Sequence, residues 1–151
     1  KIAFPHLEAC LLDSLKKRVN FLEETFALLK LENITAIHGR AEEFAKNKAY
    51  REQYDLCVSR AVSNLATLSE YCLPYVKVGG NFISYKSGTV QEELQQAEKA
   101  VKILGGKIQD VVYFNLPDSE IQRSLVVIEK MKPTPGRYPR KAGTPLKEPL
   151  S

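Results

Sequence analysis

Residues Leu7–Asp13 read LEACLLD, and the residues that follow, Ser14–Leu31, read SLKKRVNFLEETFALLKL. The first stretch is a short apolar run that ends in an acid, which is typical of a buried strand. In the second stretch, apolar residues recur at spacings of four and three, so they line one stripe of a helix. These residues are Leu15, Val19, Leu22, Phe26 and Leu29. The two stretches together predict a strand followed by a helix.

The same alternation continues through the chain. Further strands are predicted at Ile34–His38, Tyr54–Ser59, Asn81–Tyr85, Lys107–Phe114 and Ser124–Glu129. Helical spacing covers Ser63–Val76, with Gly79-Gly80 as a stop, and Thr89 to Glu92 reads as a capping box for a helix that ends before Gly105-Gly106. The last two strands lie too close together for a crossover helix, so we expect them to pair antiparallel. The pattern predicts an α/β fold with a mostly parallel sheet and helices on both faces.

The positive charge of the chain is concentrated at its end. The formal net charge is +4 over 151 residues, yet Lys130–Ser151 holds six Lys or Arg against one acid. Within this stretch, Arg137–Pro145 combines three cations, a tyrosine and two prolines. A cluster of one sign is typical of a surface that binds RNA phosphates, and the alternative is a solvated, poorly ordered tail. We therefore divide the chain into a domain over 1–130 and a basic, proline-rich extension over 131–151.

Several kinds of chemistry are disfavoured by composition. The three cysteines form no C-x-x-C pair and are odd in number, which favours a reducing, cytoplasmic setting without disulfides. Cys57 lies in an apolar strand and Cys72 on a helix stripe, where a core role is more usual than a nucleophilic one. The two histidines and their neighbours show no spacing suited to a metal site. No apolar run is long enough to span a membrane.

Candidate ligand-binding residues follow three of the predicted strands, because parallel α/β sheets bind ligands beyond the carboxyl ends of their strands. They are Asp13 with Ser14, the turn His38–Glu42, and Arg60 after Ser59. A strand-end acid such as Asp13 is suited to the vicinal hydroxyls of a ribose, and the alternative is that it only caps the next helix. Arg60 is either a surface cation or a clamp for phosphate or carboxylate.

Separate motifs, in order along the whole chain, closely resemble the 16S rRNA guanine-N7 methyltransferases, also called the glucose-inhibited division protein B family. The motifs are Leu12-Asp13-Ser14, Lys17-Arg18-Val19, Phe21-Leu22, Arg40-Ala41-Glu42, Ser59-Arg60-Ala61-Val62, Leu73-Pro74, Tyr85-Lys86, Tyr138-Pro139-Arg140-Lys141 and Gly143-Thr144-Pro145. The resemblance implies the Rossmann-like class I fold of S-adenosylmethionine-dependent methyltransferases, with a seven-stranded sheet whose last strand is antiparallel. It also implies a cytoplasmic enzyme whose substrate is a guanine in the decoding-region loop of 16S rRNA, met as free rRNA or in the small ribosomal subunit.

The resemblance also implies roles for individual residues. Asp13 and Ser14 would bind S-adenosylmethionine at its ribose, and Ala41 and Glu42 would surround its adenine. Arg60 would lie at the cofactor pocket close to the entering guanine, where it is the candidate catalytic residue. The residues expected to contact RNA phosphates are Lys86, Arg137, Arg140 and Lys141.

The chain departs from the family pattern at its start. Family members have a first strand and a glycine-rich loop that wraps the methionine part of the cofactor, and this sequence begins after both, with KIAFP at Lys1–Pro5. Three alternatives therefore stay open at this point: a nicotinamide-dependent oxidoreductase, a noncatalytic RNA-binding module, and a fragment with neither activity.

Overall fold

The chain forms two compact units in the computed structural model, which describes residues 1–60 and 63–150. Unit 1 comprises Lys1–Phe44 and unit 2 comprises Ala45–Ser151. This division differs from the boundary predicted at residue 130, because residues 131–150 group with the second unit. We call residues 131–150 the C-terminal segment.

Unit 1 is built from two strands and two helices. They are β1 (Ala9–Asp13), α1 (Lys16–Leu28), β2 (Ile34–His38) and α2 (Ala41–Phe44). The two strands pair in parallel, from Ala9 opposite Ile34 to Asp13 opposite His38. The predicted strand-helix-strand order is confirmed, and the parallel pairing brings the carboxyl ends of both strands to one edge of this sheet.

The predicted apolar stripe of α1 is only partly buried. Val19 is buried, with 1% of its surface exposed, whereas Leu15 is 52% and Leu29 48% exposed. Leu15 and Leu29 are the residues that flank the helix at its two ends. The spacing of apolar residues therefore predicted the helix correctly but extended its buried face by one position at each end.

Unit 2 contains a four-stranded sheet and the main hydrophobic core. Its elements are β3 (Tyr54–Ser59), α3 (Leu65–Cys72), a 3-10 turn (Leu73–Tyr75), β4 (Val76–Ser87), α4 (Gln91–Ile103), β5 (Gly106–Asn115), β6 (Gln122–Lys130) and α5 (Thr144–Lys147). The strand order is β3-β4-β6-β5. Strands β3 and β4 are parallel, and β6 runs antiparallel to both of its neighbours. The predicted antiparallel closing pair is confirmed.

The strands of the described residues form a two-stranded and a four-stranded sheet, rather than the seven-stranded sheet implied by the resemblance. Among residues 1–60 and 63–150, β1 pairs with β2 alone and β3 with β4 alone. In unit 2, α3 and α4 pack on one side of the sheet, where Leu65, Leu73, Phe82 and Ile128 are fully buried.

Two predicted helix boundaries are wrong. The residue that precedes α4 is Val90, and no side chain caps this helix, so Thr89 does not form the predicted capping box. Gly79 and Gly80 end no helix but lie inside β4, where the register against β3 shifts. Gly79 has a φ of 87°, and a Cβ on Gly80 would lie 2.5 Å from the Asp55 carbonyl oxygen. These glycines serve an irregular strand in close contact with its neighbour.

A buried lysine joins β6 to the C-terminal segment. Lys130 is fully buried, and its ammonium donates hydrogen bonds to the carbonyls of Leu73 (2.6 Å) and Val76 (3.2 Å) and to the hydroxyl of Thr134 (2.7 Å). The Glu52 carboxylate lies 3.2 Å from this ammonium. Burial lowers the pKa of Lys130 below its ordinary value, while the hydrogen bond that its ammonium donates to Glu52 opposes this shift.

Arg51 and Glu52 fix the start of the C-terminal segment. The Arg51 guanidinium donates to the carbonyls of Thr134 (2.7 Å) and Tyr138 (2.9 Å), and the Glu52 carboxylate accepts from the Thr134 amide (2.8 Å). The Tyr138 side chain is buried in the hydrophobic core. Since its backbone and its tyrosine are both engaged, this segment is not the poorly ordered tail that composition allowed.

A second ion pair holds the middle of the C-terminal segment. Glu70 on α3 is fully buried, and it accepts hydrogen bonds from the backbone amide of Arg140 (2.8 Å) and from the guanidinium of Arg140, the shortest at 2.7 Å. The hydrogen bonds between the guanidinium and Glu70 raise the pKa of Arg140 above its ordinary value. Arg140 therefore fixes the segment to α3, and this is where its charge is used.

We expect Lys130→Met to lower the free energy of unfolding by about 3–5 kcal/mol, the range measured when one partner of a buried ion pair is removed. Methionine fills similar space but leaves the carbonyls of Leu73 and Val76 without their donor. Urea unfolding followed by circular dichroism measures the change. Lys107→Met, at an exposed position of β5, is the control and should change stability by less than about 0.5 kcal/mol. Equal effects of the two substitutions would contradict the role given to Lys130.

We expect Glu70→Gln to release the C-terminal segment. Glutamine keeps an acceptor for the Arg140 amide but loses the charge, and a hydrogen bond to a charged group contributes about 1.5–3 kcal/mol. Trypsin should then cleave after Arg137 and Lys141 about tenfold faster or more, as measured by mass spectrometry. Asp55→Asn removes the charge of an exposed ion pair with Lys77 and should leave the cleavage rate unchanged. A Glu70→Gln protein cleaved at the unaltered rate would disprove the proposed attachment.

Candidate active site

Asp13 lies at the carboxyl end of β1, as predicted. Its Oδ1 accepts a hydrogen bond from the Leu15 amide (2.8 Å), and its Oδ2 lies 3.3 Å from an Arg18 guanidinium nitrogen. The first contact closes a local turn before α1, and no side chain caps this helix, so Asp13 does not have the helix-capping role that the sequence left open. Asp13 can accept further hydrogen bonds, because a carboxylate offers about four acceptor positions and 24% of this side chain is exposed.

The turn after β2 is bonded to the end of β1. The Gly39 amide donates to the Asp13 carbonyl (3.0 Å), and His38 Nε2 lies 3.1 Å from the Ser14 carbonyl oxygen. Since a carbonyl only accepts, this contact requires the proton of His38 on Nε2. Asp13 and Ser14 are thereby held beside the first residues of the turn that leads to α2.

Ala41 and Glu42 lie in the first turn of α2. Glu42 is buried, with 6% of its surface exposed. A Cβ on Gly39 would clash with the ring of Phe44, so a side chain at position 39 would force this ring to move. Unit 1 thus brings together four of the predicted cofactor residues, Asp13, Ser14, Ala41 and Glu42, on the turns that follow two adjacent parallel strands.

Arg60 belongs to unit 2, directly after β3, and is exposed. The remaining residues of its motif, Ala61 and Val62, lie outside the described residues. Strand β4 ends at the same edge of this sheet, since it runs parallel to β3 with Ser84 opposite Ser59. Lys86, near the end of β4, forms an ion pair of 2.6 Å with Glu93 of α4.

The cations expected to contact RNA are in two different situations. Lys86 and Arg140 are engaged with Glu93 and Glu70, whereas Arg137 and Lys141 are exposed. The Arg137 guanidinium lies 5.0 Å from the centre of the Tyr138 ring, which is a cation–π distance. The C-terminal segment therefore presents Arg137 and Lys141 at its surface from a backbone that is fixed to unit 2.

Sequence reasoning missed the two acids that hold these cations, Glu70 and Glu93. A signal for Glu70 was present, since it is a lone acid in the apolar stretch LATLSEYCL of Leu65–Leu73, and a buried acid requires a partner. Glu93 carried no comparable signal, because its neighbours Glu92 and Gln91 are exposed polar residues.

The interpretation of the cysteines as core residues is confirmed for Cys72. It is buried in the hydrophobic core, with Cys57 packed against it. A hydrogen bond with Cys57 and then burial raise the pKa of the Cys72 thiol well above its ordinary value. Cys72 therefore stays a thiol rather than a nucleophilic thiolate near neutral pH. None of the helices in the described residues is long and apolar enough to cross a membrane.

Curated relatives match this chain almost end to end. Proteins named ribosomal RNA small subunit methyltransferase G are 56% identical over 150 residues in Lachnoclostridium phytofermentans and 53% identical over 150 residues in Clostridium novyi, in each case over 99% of this chain and 62% of the relative. The protein of that name from Acetivibrio thermocellus is 53% identical over 151 residues. The chain thus spans about 62% of the length of the curated relatives it matches.

Solved structures support the fold at much lower identity. TYW2 of M. jannaschii, solved in complex with AdoMet, is 12% identical and superposes with a TM-score of 0.60 over 82% of this chain and 58% of its own. NSun6 from Pyrococcus horikoshii, solved with SFG, is 13% identical and gives a TM-score of 0.61 over 87% of this chain and 43% of its own. The fold is the Rossmann-like class I fold of S-adenosylmethionine-dependent methyltransferases.

The family model described as GidB, rRNA small subunit methyltransferase G, matches residues 1–126. The fold, the ordered motifs and the similarity over 99% of this chain agree with this match. The chain belongs to the GidB family of rRNA small subunit methyltransferases G.

Proposed function

We propose that this protein takes part in the transfer of a methyl group from S-adenosylmethionine to N7 of a guanine in the decoding-region loop of 16S rRNA, in the bacterial cytoplasm. The observation that carries the proposal is the match of residues 1–126 to the family, in a chain whose predicted ribose and adenine residues lie on the adjacent turns after β1 and β2. The substrate form is free rRNA or the small ribosomal subunit.

The residues of unit 1 fit the nucleoside part of S-adenosylmethionine. Asp13 has acceptor positions left after its contacts with Leu15 and Arg18, and a carboxylate at a strand end suits the two hydroxyls of a ribose. Glu42, buried in the first turn of α2, and the backbone of Ala41 would provide polar contacts for the adenine. The carbonyl oxygen of Ser14 is bonded to His38. This contact would hold Ser14, next to Asp13, in one conformation beside the ribose.

The proposed reaction requires that the two reactants are aligned, and it requires no proton transfer. S-adenosylmethionine supplies a methyl group on a positively charged sulfur, and guanine N7 has an in-plane lone pair that attacks it without losing a proton. No general base is required, so the contribution of the chain is to align the two reactants. Arg60 would face O6 of the guanine and hold the base edge, for which its planar fork is suited. The guanine must first leave its stack to reach this position.

The proposal is tested by measuring transfer of a tritiated methyl group to 16S rRNA and to small subunits, followed by mapping of the modified guanine. The protein from Clostridium novyi, 53% identical, is assayed beside this chain. Methylation of one guanine by this chain supports the proposal, and Arg60→Ala should then reduce the rate. Binding of rRNA by this chain without transfer, under conditions in which the relative transfers, would identify it as a noncatalytic RNA-binding module.

We expect Asp13→Asn to weaken binding of S-adenosylmethionine by roughly tenfold or more, because a hydrogen bond to a charged acceptor contributes about 1.5–3 kcal/mol. Asparagine keeps an oxygen for the Leu15 amide but loses the second acceptor for a ribose hydroxyl. Isothermal titration calorimetry measures the affinity. Asp55→Asn, at an exposed aspartate of β3, is the matched control. If both variants bind the cofactor like the unaltered protein, Asp13 serves only its local contacts with Leu15 and Arg18.

We expect Arg137→Ala and Lys141→Ala each to weaken RNA binding and to reduce the slope of log affinity against log salt by about 1, the change for one lost phosphate contact. Both residues are exposed on the fixed C-terminal segment. Filter binding from low to moderate salt measures the slope. Lys99→Ala, on the exposed face of α4, controls for loss of a positive charge elsewhere. A slope that changes equally in all three variants would remove the specific role of the segment.

A further inference from the structure

Lys86 and Glu93 form an ion pair that also holds the chain at the start of α3. The Glu93 carboxylate accepts from the Lys86 ammonium (2.6 Å) and from the backbone amide of Leu65 (2.6 Å). The same ammonium donates to the carbonyl of Ser63 (2.8 Å). One pair of side chains therefore links the end of β4, the first turn of α4 and the two residues Ser63 and Leu65.

The position of this pair connects it to Arg60. Arg60 follows β3 directly, and Ser63 is the first described residue after the undescribed positions 61 and 62. Strands β3 and β4 end at the same edge of the sheet. The Lys86–Glu93 pair thus fixes Ser63 and Leu65, three and five residues after Arg60, while Arg60 itself directly follows a strand of the sheet.

The contacts of Lys86 argue against a role as an RNA-phosphate contact. The side chain is 10% exposed and that of Glu93 27% exposed. Two of the three donors of the ammonium are directed at Glu93 and Ser63. The neighbouring carboxylate also cancels the charge that would attract a phosphate. A phosphate contact at Lys86 would first require this internal pair to break.

We propose that Lys86 and Glu93 are positioning residues for the methyl transfer: they hold Ser63 and Leu65, which follow Arg60 in the chain, at the carboxyl edge of β3 and β4. This inference rests on the proposed function, in which Arg60 faces the guanine. Glu93 acts through Lys86 and through the Leu65 amide, and neither side chain contacts the reacting atoms.

Hydrogen exchange tests the geometry independently of any activity. In Glu93→Ala the Leu65 amide loses its acceptor and should exchange at least tenfold faster, while Glu93→Gln, which keeps an oxygen at the same place, should preserve most of the protection. Asp55→Ala, which removes the exposed partner of Lys77, should not change exchange at Leu65. Unaltered exchange at Leu65 in Glu93→Ala would overturn the proposal.

RNA binding and kinetics separate positioning from RNA contact. If the pair positions Arg60, Lys86→Met and Glu93→Ala both lower kcat about tenfold, Glu93→Gln restores it, and the salt dependence of rRNA binding stays unaltered in all three. If Lys86 contacts a phosphate, Lys86→Met reduces the salt slope by about 1 and Glu93→Ala strengthens binding, which overturns the proposal. If the unaltered protein binds rRNA but methylates no guanine, the proposed function is wrong. This inference then fails with it, even if hydrogen exchange at Leu65 responds as expected.

Discussion

The buried ammonium of Lys130 is the constraint on which unit 2 depends. A charge that is removed from water must be compensated locally, and here the compensation comes from three parts of the chain: the 3-10 turn after α3, Glu52, and Thr134 of the C-terminal segment. If any of these parts moved away, the buried ammonium would lose one of its partners. The lysine at the end of β6 therefore couples the sheet, its helical layer and the chain terminus.

The same principle explains why composition overstated the positive charge that the C-terminal segment leaves exposed. Counting residues, the last part of the chain is strongly basic, but two of its cations are used internally, Lys130 with Glu52 and Arg140 with Glu70. Each of these pairs joins residues far apart in sequence. A charge count over the last part of the chain therefore includes the cation but not the acid that neutralises it. Fewer cations of this part of the chain are therefore available to a polyanion, and they lie on a backbone that is fixed.

Much of the fold could be predicted because it follows from local periodicity. Every predicted strand from Ile34 onward has a counterpart in the structure, and so does the antiparallel closing pair. The errors occurred where tertiary contacts decide: Gly79 and Gly80 serve an irregular strand, and α4 begins without the capping box. Of the site, the sequence located the turns that carry Asp13 and Glu42. It could not reveal that Lys86 is paired, because Glu93 meets it only through folding.

A common logic relates these internal pairs to the proposed chemistry. Transfer to a neutral ring nitrogen involves no proton, so charged side chains are not needed as acids or bases and are available to hold parts of the chain in place. Glu93 of α4 does this at the start of α3, and Glu70 does it from the last turn of α3. Each accepts from a backbone amide as well as from a cation. The helix between Arg60 and the C-terminal segment is thereby tied to β4 and to the segment itself. The rate of the proposed reaction depends on how its two reactants are aligned. The attachments of α3 through Glu93 and Glu70 would serve that reaction by keeping this part of the chain in place.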